Sequence, residues 1–316
     1  MAAFLLVLYI SAFFVELQPV DQPSMVFLED IVDCGHLFGH NALSAVLAAA
    51  STILCALSVF AFKNSFSSEI NISLPLVYGI LVVANPNAVY FSPLHLAALF
   101  FIWSVFFIVK FRAKGQNTGD LFASIALIFC SSIFFQPMIW FAIALLVAAV
   151  TGTEYKVKCV FTFIFALLIP FALLIAVGYL AFDFDYASHM PYNYFSGTVT
   201  ISERKLFFSV AEVCREVLLL MATVLAVLDI LKAISTFKVI KEKMFSIVIV
   251  FAFLMLAVPV IFIECNKLPF CLLLCFPCAI MLHEATLVTE SSVRRRVVSM
   301  TLLLVITVER ISSFIF

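Results

Sequence analysis

The sequence predicts an all-α fold, that of a polytopic membrane protein with about 11 (9–11) transmembrane helices. Two observations carry this prediction. Of the 316 residues, 65% are hydrophobic and only 12% are charged, and the mean hydropathy is +1.20. Soluble globular domains have about 25% charged residues, so the composition excludes that class. The second observation is a series of long apolar runs, separated by short loops that hold most of the Lys and Arg residues.

Eleven apolar segments are predicted to be helices of or near membrane-spanning length. In chain order they are 2–15, 41–62, 70–90, 94–109, 121–135, 138–150, 157–182, 206–231, 244–264, 268–282 and 298–316. The segments 121–135 and 138–150 are short and are joined by Gln136 and Pro137. A hairpin that enters and leaves the membrane on one side is therefore an alternative to two spans.

The whole chain, 1–316, is predicted to be a single transmembrane domain. It divides into an acidic external loop with an amphipathic helix at 16–40, a helical core at 41–182, a second external loop at 183–205 and the C-terminal helices at 206–316.

The distribution of Lys and Arg predicts the orientation. Opposite loops hold only Arg204, Lys205 and Lys267, whereas alternate loops hold 13 of the 18 basic residues. Those 13 are Lys63, Lys110, Arg112, Lys114, Lys156, Lys158, Lys232, Lys238, Lys241, Lys243 and Arg294 to Arg296. By the positive-inside rule this larger set faces the cytoplasm, which puts the N-terminus inside and the C-terminus outside.

A polar patch interrupts the apolar segment at 206–231. Glu212, Arg215 and Glu216 have spacings of three and four residues, so they share one face of a helix. Charged residues inside a membrane segment indicate a functional site, here one that binds a ligand phosphate, or an ion-pair cluster that fixes helix packing. His95 and Arg310 lie towards the same, external side of the membrane and are added to this candidate site.

The first external loop contains the remaining candidate chemistry. Asp33, His36 and His40 have the spacing of metal ligands, but Gly35 and Gly39 oppose the helix that would align them. The sequence predicts no cofactor, and a divalent cation at these three residues is the alternative. The net charge of −1 and the lack of a basic or Gly-rich tract exclude nucleic acid as a partner.

Two stretches carry a family resemblance over roughly 37–182. They are LFGHNALSAVLAAASTILCALSVFAFKNSFSSEINISLPLVYGILVVANPNAVYFSPLHLAALFFIWSVFFIVKF and GDLFASIALIFCSSIFFQPMIWFAIALLVAAV. They resemble an uncharacterised family of multi-pass inner-membrane proteins from Bacteroidetes, in which a Ser-Pro pair opens the fourth helix and a Pro splits a short helix pair. The resemblance implies a bacterial inner-membrane location, and the family offers no known activity to carry over to this chain.

The arrangement of the first external loop resembles the membrane core of GT-C type glycosyltransferases, which use polyprenyl-phosphate-linked sugars. Acidic residues including Asp30 and Asp33 precede Leu37-Phe38-Gly39, in the same order and on the same side of the membrane as in those enzymes. The resemblance implies that Asp30 or Asp33 is the catalytic base. The chain departs from that family in its acidic motif, and no globular external domain follows its last helix.

Two functions from different classes follow. The favoured one is a non-enzymatic subunit or scaffold of cell-envelope assembly, with membrane lipids and other envelope membrane proteins as partners. The alternative is an enzyme that acts on a lipid-linked sugar precursor at the outer leaflet, with Arg215 or Arg310 holding the phosphate. A transporter is less favoured, because the sequence has no evident inverted repeat.

Overall fold

The computed structural model describes residues 42–66, 73–84, 88, 90–113, 115–151, 153–181, 210–261 and 267–288. It describes their side chains as well, except at 84, 181, 210–220, 256–261 and 267–271. Within these ranges every regular element is a helix, so the all-α class is confirmed for the described part of the chain.

Nine α-helices follow one another along the described ranges. They are α1 (Ala42–Phe66), α2 (Ser73–Ala84), α3 (Pro93–Ala113), α4 (Thr118–Phe134), α5 (Phe141–Thr151), α6 (Lys156–Ala181), α7 (Val210–Ala233), α8 (Val239–Ile261) and α9 (Lys267–Val288). Each corresponds to one of the predicted segments from 41–62 to 268–282. The predicted helices at 2–15 and 298–316 lie outside the described residues.

Three of the described helices are long and apolar enough to cross a membrane: α1, α3 and α6. The helices α2, α4 and α5 are apolar but shorter. Helix α2, Ser73–Ala84, lies within the predicted segment 70–90. The full count of 11 spans and the orientation stay predictions.

Helices α3 and α4 form an antiparallel hairpin held by serine side chains. Ser104 Oγ donates to the carbonyl of Ser124 at 2.7 Å, and Ser124 Oγ donates back to the carbonyl of Ser104 at 2.8 Å. Ser131 Oγ donates to the carbonyl of Ala97 at 2.8 Å. Small residues let two helices approach closely, and hydroxyls that reach a neighbouring carbonyl add interhelical hydrogen bonds in an apolar environment.

The turn of this hairpin is set by local backbone chemistry. Gly115 has φ of +105°, a conformation that suits glycine, and Gln116 follows with φ of 57°. Asn117 then caps α4, because its side-chain oxygen accepts a hydrogen bond from the backbone N–H of Gly119 at 3.0 Å. These residues reverse the chain within a few positions.

Helix α5 is preceded by a 3₁₀ turn, Gln136–Trp140, at the Gln136-Pro137 pair where the sequence predicts a break. With 11 residues, α5 extends only about 16 Å, roughly half of a bilayer's hydrocarbon core. Helix α4 begins, and α5 ends, next to the C-terminal end of α3. Both ends of this helix pair thus lie at one end of the bundle, which is compatible with two spans and with the predicted hairpin.

Aromatic side chains fill the centre of the bundle. Phe101 of α3 contacts Phe251 of α8 and Phe276 of α9 edge to face, with ring centroids 5.6 and 5.8 Å apart, and Phe62 of α1 adds a further contact to Phe276. In contrast, α6 leaves most of its apolar residues exposed, among them Phe165 and Leu173. An apolar surface of that size is what a lipid-facing helix presents.

Candidate functional site

Several helix termini meet at one end of the bundle, which we call the basic end. Helices α1, α3 and α9 finish there with Lys63, Arg112 and Glu284 in their last two turns, and α8 begins there with Lys241 and Lys243. Contacts join these termini, since Lys63 and Lys241 both reach Glu284 and Lys243 Nζ donates to the carbonyl of Arg112 at 3.0 Å. Loops that the sequence predicts to be on one side of the membrane thus meet at one end of the fold.

Glu284 lies between two ammonium groups. Its Oε2 is 3.2 Å from Lys63 Nζ, and its Oε1 is 2.5 Å from Lys241 Nζ. Both are ion pairs by distance, although neither oxygen has a partner with hydrogen-bond geometry among the residues that the structure describes. Lys241 also lies over the ring of Phe237, with Nζ 4.5 Å from the centroid, which adds a cation–π contact.

His283 extends the cluster to a fourth helix. Its Nδ1 is 2.9 Å from Lys63 Nζ, and its Nε2 is 2.9 Å from the hydroxyl oxygen of Ser73 at the start of α2. An ammonium group can only donate, so Nδ1 must accept and the ring proton must be on Nε2. His283 is therefore a neutral imidazole in this arrangement and donates to Ser73.

The cluster is buried deeply. The side chains of Lys63 and Glu284 are 1% and 0% exposed, and that of Lys241 is 14% exposed. Charges this far from water are costly unless they are paired, and removing one partner of a buried pair costs about 3–5 kcal/mol. The described members comprise two ammonium groups, one carboxylate and a neutral imidazole, so this carboxylate is the anion that compensates both lysines within the described cluster.

The ion pairs and hydrogen bonds of this cluster connect four helices. The four charged or titratable members come from α1, α8 and α9, and Ser73 adds α2. The pair α1 and α2 is far in sequence from the pair α8 and α9, so the cluster fixes the mutual register of the two pairs at one point.

His95, which the sequence assigns to the phosphate-binding patch, has local partners. Its side chain is buried, and its Nε2 donates to the carbonyl of Ala88 at 3.1 Å. Its Nδ1 lies 3.3 Å from the backbone nitrogen of Ser92, and its ring stacks on Phe91 with centroids 5.9 Å apart. His95 thereby fixes the turn that leads into α3.

The other predicted site residues are described only in part. Glu212, Arg215 and Glu216 lie on α7, so the predicted helix is confirmed, while their side chains are outside the description. Arg310 and the loop residues Asp30, Asp33, His36 and His40 lie outside the described residues altogether. Among the described residues, no group of three or more His, Cys, Asp and Glu side chains is placed to hold a metal ion.

The sequence analysis does not predict this cluster. It treats Lys63 and Lys241 only as loop charges that set the topology, and it ends a helix at residue 282, just before His283 and Glu284. Helix α9 in fact continues to Val288. A His-Glu pair within the apolar stretch AIMLHEATLV is a signal for a site, because charged residues in such a stretch are costly unless they are paired or functional.

Comparison with known protein families yields a match over most of the chain. A model described as a family of unknown function (DUF6427) matches residues 23–312, nearly the whole chain. No curated protein and no solved structure matches the chain. The match confirms the resemblance to an uncharacterised family in its general form.

Proposed function

The chain belongs to the DUF6427 family, whose function is unknown, and from that premise we propose that it is a non-enzymatic membrane subunit, a scaffold of cell-envelope assembly in the bacterial inner membrane. Its partners in this proposal are membrane lipids and other envelope membrane proteins. The observation that carries the proposal is the ionic cluster around Glu284, in which buried charges bind one another.

The direction of these contacts favours a structural role. A catalytic or transport site needs charged or polar groups that face a substrate. In this cluster Glu284 faces Lys63 and Lys241, and His283 faces Lys63 and Ser73. Such a network stabilises one arrangement of α1, α2, α8 and α9, which is the property that a scaffold requires.

The alternative proposal is an enzyme that resembles GT-C glycosyltransferases and acts on polyprenyl-phosphate-linked precursors at the outer leaflet. It rests on Asp30 or Asp33 as general base and on Arg215 or Arg310 as phosphate ligands. A general base contributes typically 10²–10⁴-fold in rate. Loss of that base therefore separates the two proposals.

The test compares amide variants with a cluster variant in a strain that lacks the wild-type gene. A scaffold predicts that Asp30→Asn and Asp33→Asn complement fully, because the sequence predicts both residues in an external loop, where losing a charge costs little stability. It also predicts that Glu284→Gln lowers the amount of membrane-inserted protein and that complementation falls in proportion to that amount. Both the envelope phenotype and the amount of membrane-inserted protein are measured for each variant.

The enzyme proposal predicts the opposite pattern. At least one of the amide variants then abolishes complementation while its protein level equals that of the wild type. The matched control is Glu242→Gln, which alters an exposed carboxylate one residue from Lys241. Loss of function in Asp30→Asn or Asp33→Asn at normal abundance would refute the scaffold proposal.

A further inference from the structure

A groove runs along the surface between α5 and α8. Its volume is about 520 Å³, within the range of sites that hold small molecules. Its walls are mostly apolar, and its lining includes Trp140, Ala144 and Val147 on one side and Val250 and Leu254 on the other. We call it the Arg112 groove, because Arg112 lines its polar end at the basic end of the bundle.

The two ends of the groove differ in chemistry. Arg112, Thr151 and Ser246 lie at the basic end, where α5 finishes and α8 begins. Trp140 and Leu254 lie at the other end, because α5 and α8 run in opposite directions along the groove. A ligand that fits is therefore a long apolar chain with a polar group at one terminus.

The charge at the polar end is positive. Arg112 Nη1 donates to the carbonyl of Ala148 at 2.8 Å and to Thr151 Oγ1 at 3.3 Å, which fixes the guanidinium at the mouth of the groove. Lys243 is held beside it by its hydrogen bond to the carbonyl of Arg112. Arginine binds phosphate through a planar fork of N–H donors, and basic pockets between membrane helices bind anionic head groups.

The length of the groove matches one leaflet. Helix α5, which forms one wall, extends about 16 Å, and half of a bilayer's hydrocarbon core is about 15 Å. The walls also face outward, since Ile143, Val147 and Val250 are all more than half exposed. An acyl chain in the adjoining leaflet can enter such a groove from the side.

We propose that the Arg112 groove binds one acyl chain of an anionic phospholipid, with the lipid phosphate against Arg112. The proposal requires insertion in a membrane and is independent of the scaffold function. It gives the basic end a second role beside the buried cluster, because Arg112 and Lys243 then fix the depth of the protein relative to the head groups.

The test uses the full-length chain, purified in mild detergent and supplied with equal amounts of phosphatidylglycerol and phosphatidylcholine. Native mass spectrometry counts the lipids that stay bound. Wild-type protein is expected to retain phosphatidylglycerol in preference to phosphatidylcholine. In Arg112→Gln the ratio of bound phosphatidylglycerol to bound phosphatidylcholine is expected to fall about tenfold. Lys232→Gln is the matched control, since it removes an exposed basic residue of α7 that does not line the groove.

Two variants fill the groove from opposite walls and guard against a folding defect in Arg112→Gln. Ala144→Trp and Val250→Trp are each expected to reduce bound lipid of both kinds while the protein stays monodisperse. Equal retention of the two lipids by the wild type would overturn the proposal. Unchanged lipid retention in a folded Trp variant would also overturn it. The same holds if inorganic phosphate displaces the lipid, or if the mass spectrum shows a dimer of the chain without bound lipid.

Discussion

Glu284 Oε2 lies 3.2 Å from Lys63 Nζ in a position where both side chains are almost completely withdrawn from solvent. The two residues stand on α9 and α1, near opposite ends of the described chain. Because Lys241 binds the other carboxylate oxygen, one acidic side chain holds two basic ones. The stability of this end of the bundle therefore depends strongly on a single residue.

Glu284→Gln is expected to destabilise the protein by about 3–5 kcal/mol, because it removes the buried carboxylate that forms ion pairs with both Lys63 and Lys241. The measurement is the free energy of unfolding of the purified protein in detergent, together with its abundance in membranes. Glu242→Gln is the control and should be close to wild type, since Glu242 is exposed. Equal stability of the two variants would show that water reaches the cluster.

The pairing of Lys63 with Glu284 can be isolated with a second substitution. Lys63→Met removes the most deeply buried ammonium group of the described cluster, so adding it to Glu284→Gln should recover part of the lost stability. Residues in one ion-pair network have coupling energies of about 0.5–3 kcal/mol. Unfolding free energies of the wild type, the two single variants and the double variant give this coupling. Strict additivity would contradict a direct interaction.

The hairpin of α3 and α4 offers a test of interhelical hydrogen bonds. The double variant Ser104→Ala with Ser124→Ala removes two reciprocal bonds to backbone carbonyls. A hydrogen bond between membrane helices contributes about 0.6 kcal/mol on average, so a loss of roughly 1 kcal/mol is expected in the unfolding free energy. Ser65→Ala is the control, because that exposed hydroxyl bonds within its own helix, to Ala61. A loss no larger than the control's would rule out the serine pair as a stabilising contact.

Local sequence patterns were enough to predict the described helices. They do not predict which side chains of different helices contact each other. The break at Gln136 and Pro137 was predictable because proline removes a backbone donor and fixes φ. The partnership of Lys63, Lys241 and Glu284 joins residues on three helices, and hydropathy gives no information on which helix ends will touch. An apolar window also ends a predicted helix at its first charges, which is why the sequence predicts a helix end at residue 282, just before His283 and Glu284.

The patch on α7 supplies a prediction that the described geometry leaves open. Arg215→Ala is expected to lower the amount of folded protein more than Lys238→Ala, because it removes the positive charge that shares a helix face with the like charges Glu212 and Glu216. If these carboxylates are buried, the cost is about 3–5 kcal/mol. Lys238 is exposed, so its loss is a suitable baseline. Wild-type abundance of Arg215→Ala would indicate a hydrated patch.

The orientation of the whole chain can be tested with reporters, and the basic end makes that test sharper. Contacts place Lys63, Arg112, Lys241 and Lys243 at one end of the bundle, so the loops beside them must share one side of the membrane. A phosphatase or fluorescent reporter fused after Lys114 or Lys243 should report a cytoplasmic location, and one placed within 183–205 an external location. Opposite results for the fusions after Lys114 and Lys243 would contradict the contact between α3 and α8. External results for both would keep the fold and reverse its orientation, which would place the Arg112 groove in the outer leaflet.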